Sequence, residues 1–366
     1  MRFSSHLASS FNPVPLDPSD WWYHTRAGRP SPNSYIPAEA FLNTAALKLK
    51  SSSTLTRGYL ICITATLLWS STGIFIRYLT ETYRLPPLVL AFWRDLIVAC
   101  FLFVALSVIS PRRLGVERRH LRFLFFYGIE LSLFNSLWTI SVALNGAAVA
   151  TVLVYSSAAF TALLGWRLLA ERLNPLKITA VALSLIGCVF VSGAHTASAW
   201  SSNTLGILTG LLSGLAFAGY SLMGKAASQR SLDPWTTLLY SFAFAVPFIF
   251  IYNLFPAWLP EGVASLNFFW LGASVAGWAI LAFLAVGPTV GGFGFYTVSL
   301  TYLPASVANL IATLEPVITT LLAYLFLGER LSLVQLFGSV LIIAGVITLR
   351  LSQDRRRYPN PQPYNS

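Results

Sequence analysis

Between residues 59 and 351 the chain is a succession of ten apolar runs, each close to the roughly 20 residues that a helix needs to cross a bilayer. They fall at 59–78, 88–109, 121–143, 147–169, 175–191, 205–227, 235–255, 278–302, 304–326 and 333–351. Hydrocarbon supplies no water to satisfy a backbone, so a crossing segment must close its own hydrogen bonds, as an α-helix does. The expectation is an all-α polytopic membrane protein with ten transmembrane helices. The stretch 267–275 is also apolar, but it is short and joins a glycine-rich region, so it reads as an interfacial loop. Only 10% of residues are charged, against about 25% in a soluble domain, which excludes an ordinary water-soluble enzyme.

The basic residues orient these helices. With the amino terminus inside, the cytoplasmic segments hold 20 of the 24 Lys and Arg, among them Arg57, the Arg112–Arg122 group, Arg167, Arg172, Lys177, Lys225, Arg230 and Arg355–Arg357. The outside keeps Arg77, Arg84 and Arg330, while Arg94 falls within the second span. Both termini are therefore expected in the cytoplasm. The net charge of +11 reads as orientation and not as a nucleic-acid surface. Trp166, Trp235, Trp258 and Trp278 fall near span ends, where an amphipathic indole is favoured. Residues 1–56, rich in Pro, Ser and Asn, read as a disordered cytoplasmic tail, and 352–366 as a basic one. No apolar stretch follows the start closely enough for a cleaved signal peptide, and Asp17 and Asp20 count against a transit peptide.

The chain also matches itself. At an offset of 158, Leu169-Ala170-Glu171-Arg172-Leu173 lies over Leu327-Gly328-Glu329-Arg330-Leu331, with Ala147 on Ala305 and Gly187 on Gly345. At an offset of 148 the first span lies over the sixth, with Gly58 on Gly206 and Arg77 on Lys225. Each copy, 57–193 and 203–351, holds five spans. Five is odd, so the second copy must enter the membrane upside down, which makes an inverted repeat of the kind that supports alternating access.

The segment Leu314-Glu315-Pro316-Val317 through Leu327-Gly328-Glu329-Arg330-Leu331 to Gly345, with its copy around Glu171-Arg172, resembles the EamA domain of the drug/metabolite transporter superfamily. Trp69-Ser70-Ser71 and Phe92-Trp93-Arg94 resemble that family's opening helices. The resemblance covers roughly residues 58–351 and implies a ten-helix exporter or exchanger of small metabolites. It departs at Ser157-Ala158, where the second copy has Glu315-Pro316.

An acid in hydrocarbon costs about 2.5–3.5 kcal/mol on insertion scales, so Glu130 and Glu315 stand out as candidates for a substrate or proton site, or for structural acids that hold a helix end. Pro316 lacks an N–H and frees a carbonyl near Ala312, which favours a helix break beside Glu315. Asn135, Trp138, Tyr155, Tyr220, Tyr296 and Asn309 are candidate pathway residues, since small-molecule sites combine a few polar groups with apolar walls. Arg94 and Asp95 read as a structural ion pair, with the Arg stem snorkelling to the outer surface. Gly206, Gly210 and Gly214 form a ridge of small residues for close helix packing within the monomer. Gly219–Lys225 has the spacing of a phosphate loop, but Ala226 replaces the required Ser or Thr and no strand precedes it.

The expected function is a secondary transporter of a small organic solute, coupled to a proton or a counter-substrate, in the plasma (inner) membrane. No cofactor, metal or nucleic acid is expected; monomer and dimer stay open. Cys62, Cys100 and Cys188 lie in apolar spans without paired spacing, and all four histidines fall outside the spans, so an embedded enzyme is disfavoured. A sensor or scaffold is one alternative. A nucleotide-sugar or phosphate antiporter is another, disfavoured because only Arg94 and Lys225 offer central cations.

Overall fold

A computed structural model describes residues 38–191, 193–197, 204–319, 321 and 332–357. Among them, the regular structure is helical: α1 (Ala38–Trp69), α2 (Thr72–Thr82), α3 (Pro87–Ile109), α4 (Arg118–Tyr155), α5 (Ser157–Leu168), α6 (Pro175–Val191), α7 (Thr204–Gln229), α8 (Pro234–Asn253), α9 (Val275–Leu284), α10 (Gly291–Tyr302), α11 (Ala305–Ala312) and α12 (Leu333–Arg357). Among the described residues, seven segments are long and apolar enough to cross a membrane: Thr54–Thr82, Pro87–Ile109, Arg118–Gly146, Val149–Leu168, Thr204–Gln229, Pro234–Asn253 and Val275–Tyr302. Three apolar helices are shorter, Pro175–Val191, Ala305–Thr319 and Leu333–Leu349.

The boundaries follow local chemistry. Pro87 opens α3 and Pro234 opens α8, positions where the missing N–H costs nothing. Asp233 caps α8, accepting from the N–H groups of Trp235 at 3.1 Å and Thr236 at 3.0 Å. Gly146 has φ +75°, a conformation that glycine adopts cheaply, and it kinks α4 at the junction of two spans. Pro288 lies in a π-helical stretch, Ala285–Val290, between α9 and α10. After α11 ends at Ala312, residues 313 and 314 turn and the helix resumes at Glu315-Pro316.

Two helices extend into stretches that the sequence reads as tails. The helix α1 begins at Ala38, so residues 38–56 are not structureless; Ala38-Glu39-Ala40 and Ala45-Ala46-Leu47-Lys48 are strong helix formers. Likewise α12 continues to Arg357, past the expected start of the carboxy-terminal tail. Residues 1–37 and the Leu327–Leu331 motif lie outside the described residues. The stretch 267–274 is a series of turns, as expected of a loop, and it is anchored by indoles. Trp93 donates to the Phe268 carbonyl at 2.6 Å and Trp278 to that of Gly272 at 3.0 Å.

The helices pack closely where side chains are small. The ridge Gly206, Gly210 and Gly214 of α7 faces Asn145, Leu153 and Ser156 of α4 and its end, inside the monomer. Helix α6 lies along α12. A Cβ on Gly187 would stand 2.7 Å from the Gly338 carbonyl, and one on Gly345 would stand 2.8 Å from that of Ala180. Backbone cannot yield as a side chain can, so Gly187→Leu is expected to cost about 1–3 kcal/mol or more through overpacking. Thermal unfolding in detergent checks this, with Gly287→Ala as the control, since a Cβ there meets nothing nearer than 3.7 Å.

Candidate functional site

At the centre of the bundle a cavity of about 40 Å³ is lined by Trp69, Thr72, Arg94, Phe134, Asn135, Trp138, Val154, Tyr155, Phe217, Phe293 and Glu315. Its chemistry is mixed: one guanidinium, one carboxyl, one amide and one phenol set into aromatic walls. Trp69 packs edge-on to Phe293, ring centres 5.1 Å apart, and Phe134 stacks on Phe217 at 4.9 Å. Such rings give a rigid apolar surface at small entropic cost.

Glu315 is 9% exposed and accepts a 2.5 Å hydrogen bond from the hydroxyl of Tyr155, at the end of α4. The turn at 313–314 precedes Glu315, so its side chain leaves the backbone where α11 has been interrupted. An acid at such a depth is stable only with partners, and Tyr155 supplies one of them.

Opposite in charge stands Arg94, on the second turn of α3 and 1% exposed. Its Nε donates to Asp95 Oδ1 at 3.1 Å, and Asp95 Oδ2 accepts from Asn135 Nδ2 at 2.6 Å. The ion pair expected from the sequence is present. The snorkelling is not: the rotation of α3 turns the guanidinium inward to the cavity, while the outer face of that helix carries Phe101, Phe103 and Val104. Arg94 Nη2 and Asn135 Oδ1 are buried and make no hydrogen bond among the described residues.

The cavity thus gathers Asn135, Trp138, Tyr155 and Glu315 of the pathway candidates, together with Arg94. The structure does not bring Glu130 there. That residue lies on α4 with its carboxyl against Gly219 of α7. Tyr220, Tyr296 and Asn309 are fully buried one layer behind the wall. Tyr296 packs on Trp69 at 5.0 Å and shares a 2.8 Å hydrogen bond with Ser221; Asn309 donates to Ser221 at 3.2 Å and accepts from Ser157 at 2.9 Å. This network ties α5, α7, α10 and α11 together.

Trp69, Thr72, Phe134, Val154, Phe217 and Phe293, none of them a pathway candidate in the sequence, also line the cavity. A signal for two of them was present: Trp69 lies over Phe217 at the offset of 148, and Asn135 over Phe293 at 158.

A second polar cluster sits where the loop after α5 meets the start of α11. The Glu171 carboxylate accepts from the Ala305 N–H at 2.8 Å and from the Ser306 hydroxyl, and it pairs with Lys177 Nζ at 3.1 Å. Both charged side chains are more than nine-tenths buried.

Apolar helices of membrane-spanning length that converge on a small cavity of mixed polarity define a multi-pass membrane protein. The chain belongs to the EamA-like transporter family, whose model matches residues 56–193 and again 204–351. It is 28% identical to an uncharacterized transporter of Synechocystis over 61% of this chain and 64% of that protein. It is 27% identical to a probable amino-acid metabolite efflux pump of Escherichia coli, over 72% of this chain and 85% of that one. In fold it resembles a solved crystal structure with a TM-score of 0.63 at 19% identity, covering 82% of this chain and 99% of the other. The protein is thus a membrane transporter by family, and its environment is the bilayer.

Proposed function

We propose that the chain is a secondary transporter, and no enzyme, that exports or exchanges a small amino-acid-like metabolite by alternating access, driven by a proton or a counter-substrate. The observation that carries this reading is the central cavity, whose aromatic walls also carry Glu315 and Arg94. Seven long apolar segments and three shorter ones among the described residues support ten crossings. An arrangement as two inverted five-helix repeats, 57–193 and 203–351, with both termini cytoplasmic, is supported by two pairs of repeat mates, Trp69 with Phe217 and Asn135 with Phe293, that line the one cavity. A site on the pseudo-two-fold axis is the one place that rocking halves can expose to either side in turn. The relative named as an amino-acid metabolite efflux pump supports the solute class and the outward direction.

The test is uptake of pooled labelled amino acids, purines, amines and sugars into proteoliposomes holding the full chain, with and without a proton gradient. Saturable uptake of amino acids is the expected result. No uptake under any gradient would overturn the transporter reading in favour of a sensor or scaffold, and uptake confined to sugars or purines would overturn the solute class.

A further inference from the structure

We propose that Arg94 is the anchor for a carboxylate on the transported solute, so that the site takes an organic monocarboxylate bearing an amino group. The inference rests on reading the central cavity as the transport site and adds which end of the solute binds where. Arg94 has a buried Nη2 that makes no hydrogen bond among the described residues, yet it lines a cavity large enough to admit small groups. An unmatched buried donor on a cation is expensive, and a carboxylate oxygen is its natural partner. Asp95 does not compete for that position, because it engages Nε from the adjacent residue while its other oxygen is held by Asn135. The guanidinium is therefore fixed on one edge and open on the other.

The rest of the lining decides what the carboxylate is attached to. Asn135 gives its Nδ2 to a carboxylate, which leaves Oδ1 as an acceptor with no hydrogen bond among the described residues. Glu315 engages Tyr155 through Oε2. Both groups suit an ammonium. Asp95 already pairs with the one cation and a second acid, Glu315, lines the same cavity, so a doubly charged phosphate would meet repulsion that a zwitterion avoids. Trp69, Phe134, Trp138, Phe217 and Phe293 leave apolar surface for a side chain.

The experiment measures binding to the full chain in detergent by isothermal titration, with L-leucine, L-phenylalanine, their amides and phenylacetate as probes. The amides keep the ammonium and lose the carboxylate. In wild type, the acids are expected to bind about tenfold or more tighter than the amides, the effect of one charge-assisted hydrogen bond. Arg94→Gln alone strands Asp95, so the decisive variant is Arg94→Gln with Asp95→Asn, which removes both charges at constant shape. There the preference for acid over amide should fall to near onefold, with amide affinity unchanged and the circular dichroism of the fold retained. Should the double variant fail to fold, Arg94→Lys serves in its place, and a preference cut severalfold by loss of the planar fork is expected. A preference that persists at full size in the folded variant would overturn the assignment. So would a wild type that binds none of the carboxylate probes, while uptake of amines or sugars in the pooled assay would still uphold a transporter.

Discussion

Glu315→Gln is expected to cut transport by about tenfold to a hundredfold while leaving the fold intact. The glutamine has nearly the same shape, and its carbonyl oxygen still accepts from Tyr155, whose hydroxyl sits 2.5 Å from Oε2. What disappears is the acid's ability to carry a negative charge or a proton inside the cavity. Hydrogen bonds to charged groups contribute about 1.5–3 kcal/mol against about 0.5–1.5 for neutral ones, and 1.4 kcal/mol is a factor of ten. Tyr155→Phe separates the roles, since it removes the donor and keeps the acid; a smaller loss of transport is expected there. Initial rates in proteoliposomes, with and without a proton gradient, check both variants. Transport by Glu315→Gln that no longer responds to the gradient would assign Glu315 to coupling, and a severalfold rise in half-saturation with coupling retained would assign it to the solute. Full activity would make it a structural acid that holds the end of α4 against the resumed helix after α11.

The same residue shows what a sequence can and cannot reveal here. That an acid lies in an apolar run beside a proline is written in Glu315-Pro316, and the turn at 313–314 stands where the chain loses a helical N–H. Its phenolic partner is 160 positions away and follows only from how the helix ends meet. Arg94 teaches the converse. Its neighbour Asp95 made the pair legible, but whether the stem reaches outward or inward depends on the rotation of α3, which packing against α4 and α8 settles. Periodicity was of little help on that point, because the span is apolar on nearly all faces and a stripe cannot be read from it. Glu130 and Glu315 look alike in sequence, each an acid in an apolar span, and only the tertiary arrangement sends one to the cavity and the other to Gly219. The aromatic walls were obscured for another reason: phenylalanines are abundant among lipid-facing positions too, and Phe103, Phe126 and Phe283 are all exposed.

Glu171→Gln is expected to loosen the closure on the side of the bundle where the loop after α5 meets α11. Three donors converge on one carboxylate: the Ala305 N–H at the start of α11, the Ser306 hydroxyl and Lys177 Nζ. The contact joins segments 134 positions apart, one from each of the two family-model matches. A negative charge at a helix N-terminus is favoured by the helix dipole, and a buried lysine needs its counter-ion. The amide keeps an oxygen acceptor for the Ala305 N–H, but its nitrogen cannot accept from Ser306 or Lys177, a loss of about 1.4 kcal/mol or more, which shifts a two-state closure about tenfold toward open. Cys62 provides a native reporter. It is fully buried, and its thiol donates to the carbonyl of Ala308, one turn into α11 from the clasp, at 3.4 Å. Its alkylation by N-ethylmaleimide in proteoliposomes, read by mass spectrometry, should therefore quicken about tenfold in Glu171→Gln. Buried Cys188 on α6 is the internal control and should keep its rate. Quickening of both cysteines together would mean general unfolding. A lowered melting temperature with Cys62 unchanged would make the clasp a static brace, whereas a Cys62 rate that rises alone, and falls back when saturating solute is added, would make it a gate that opens in the transport cycle.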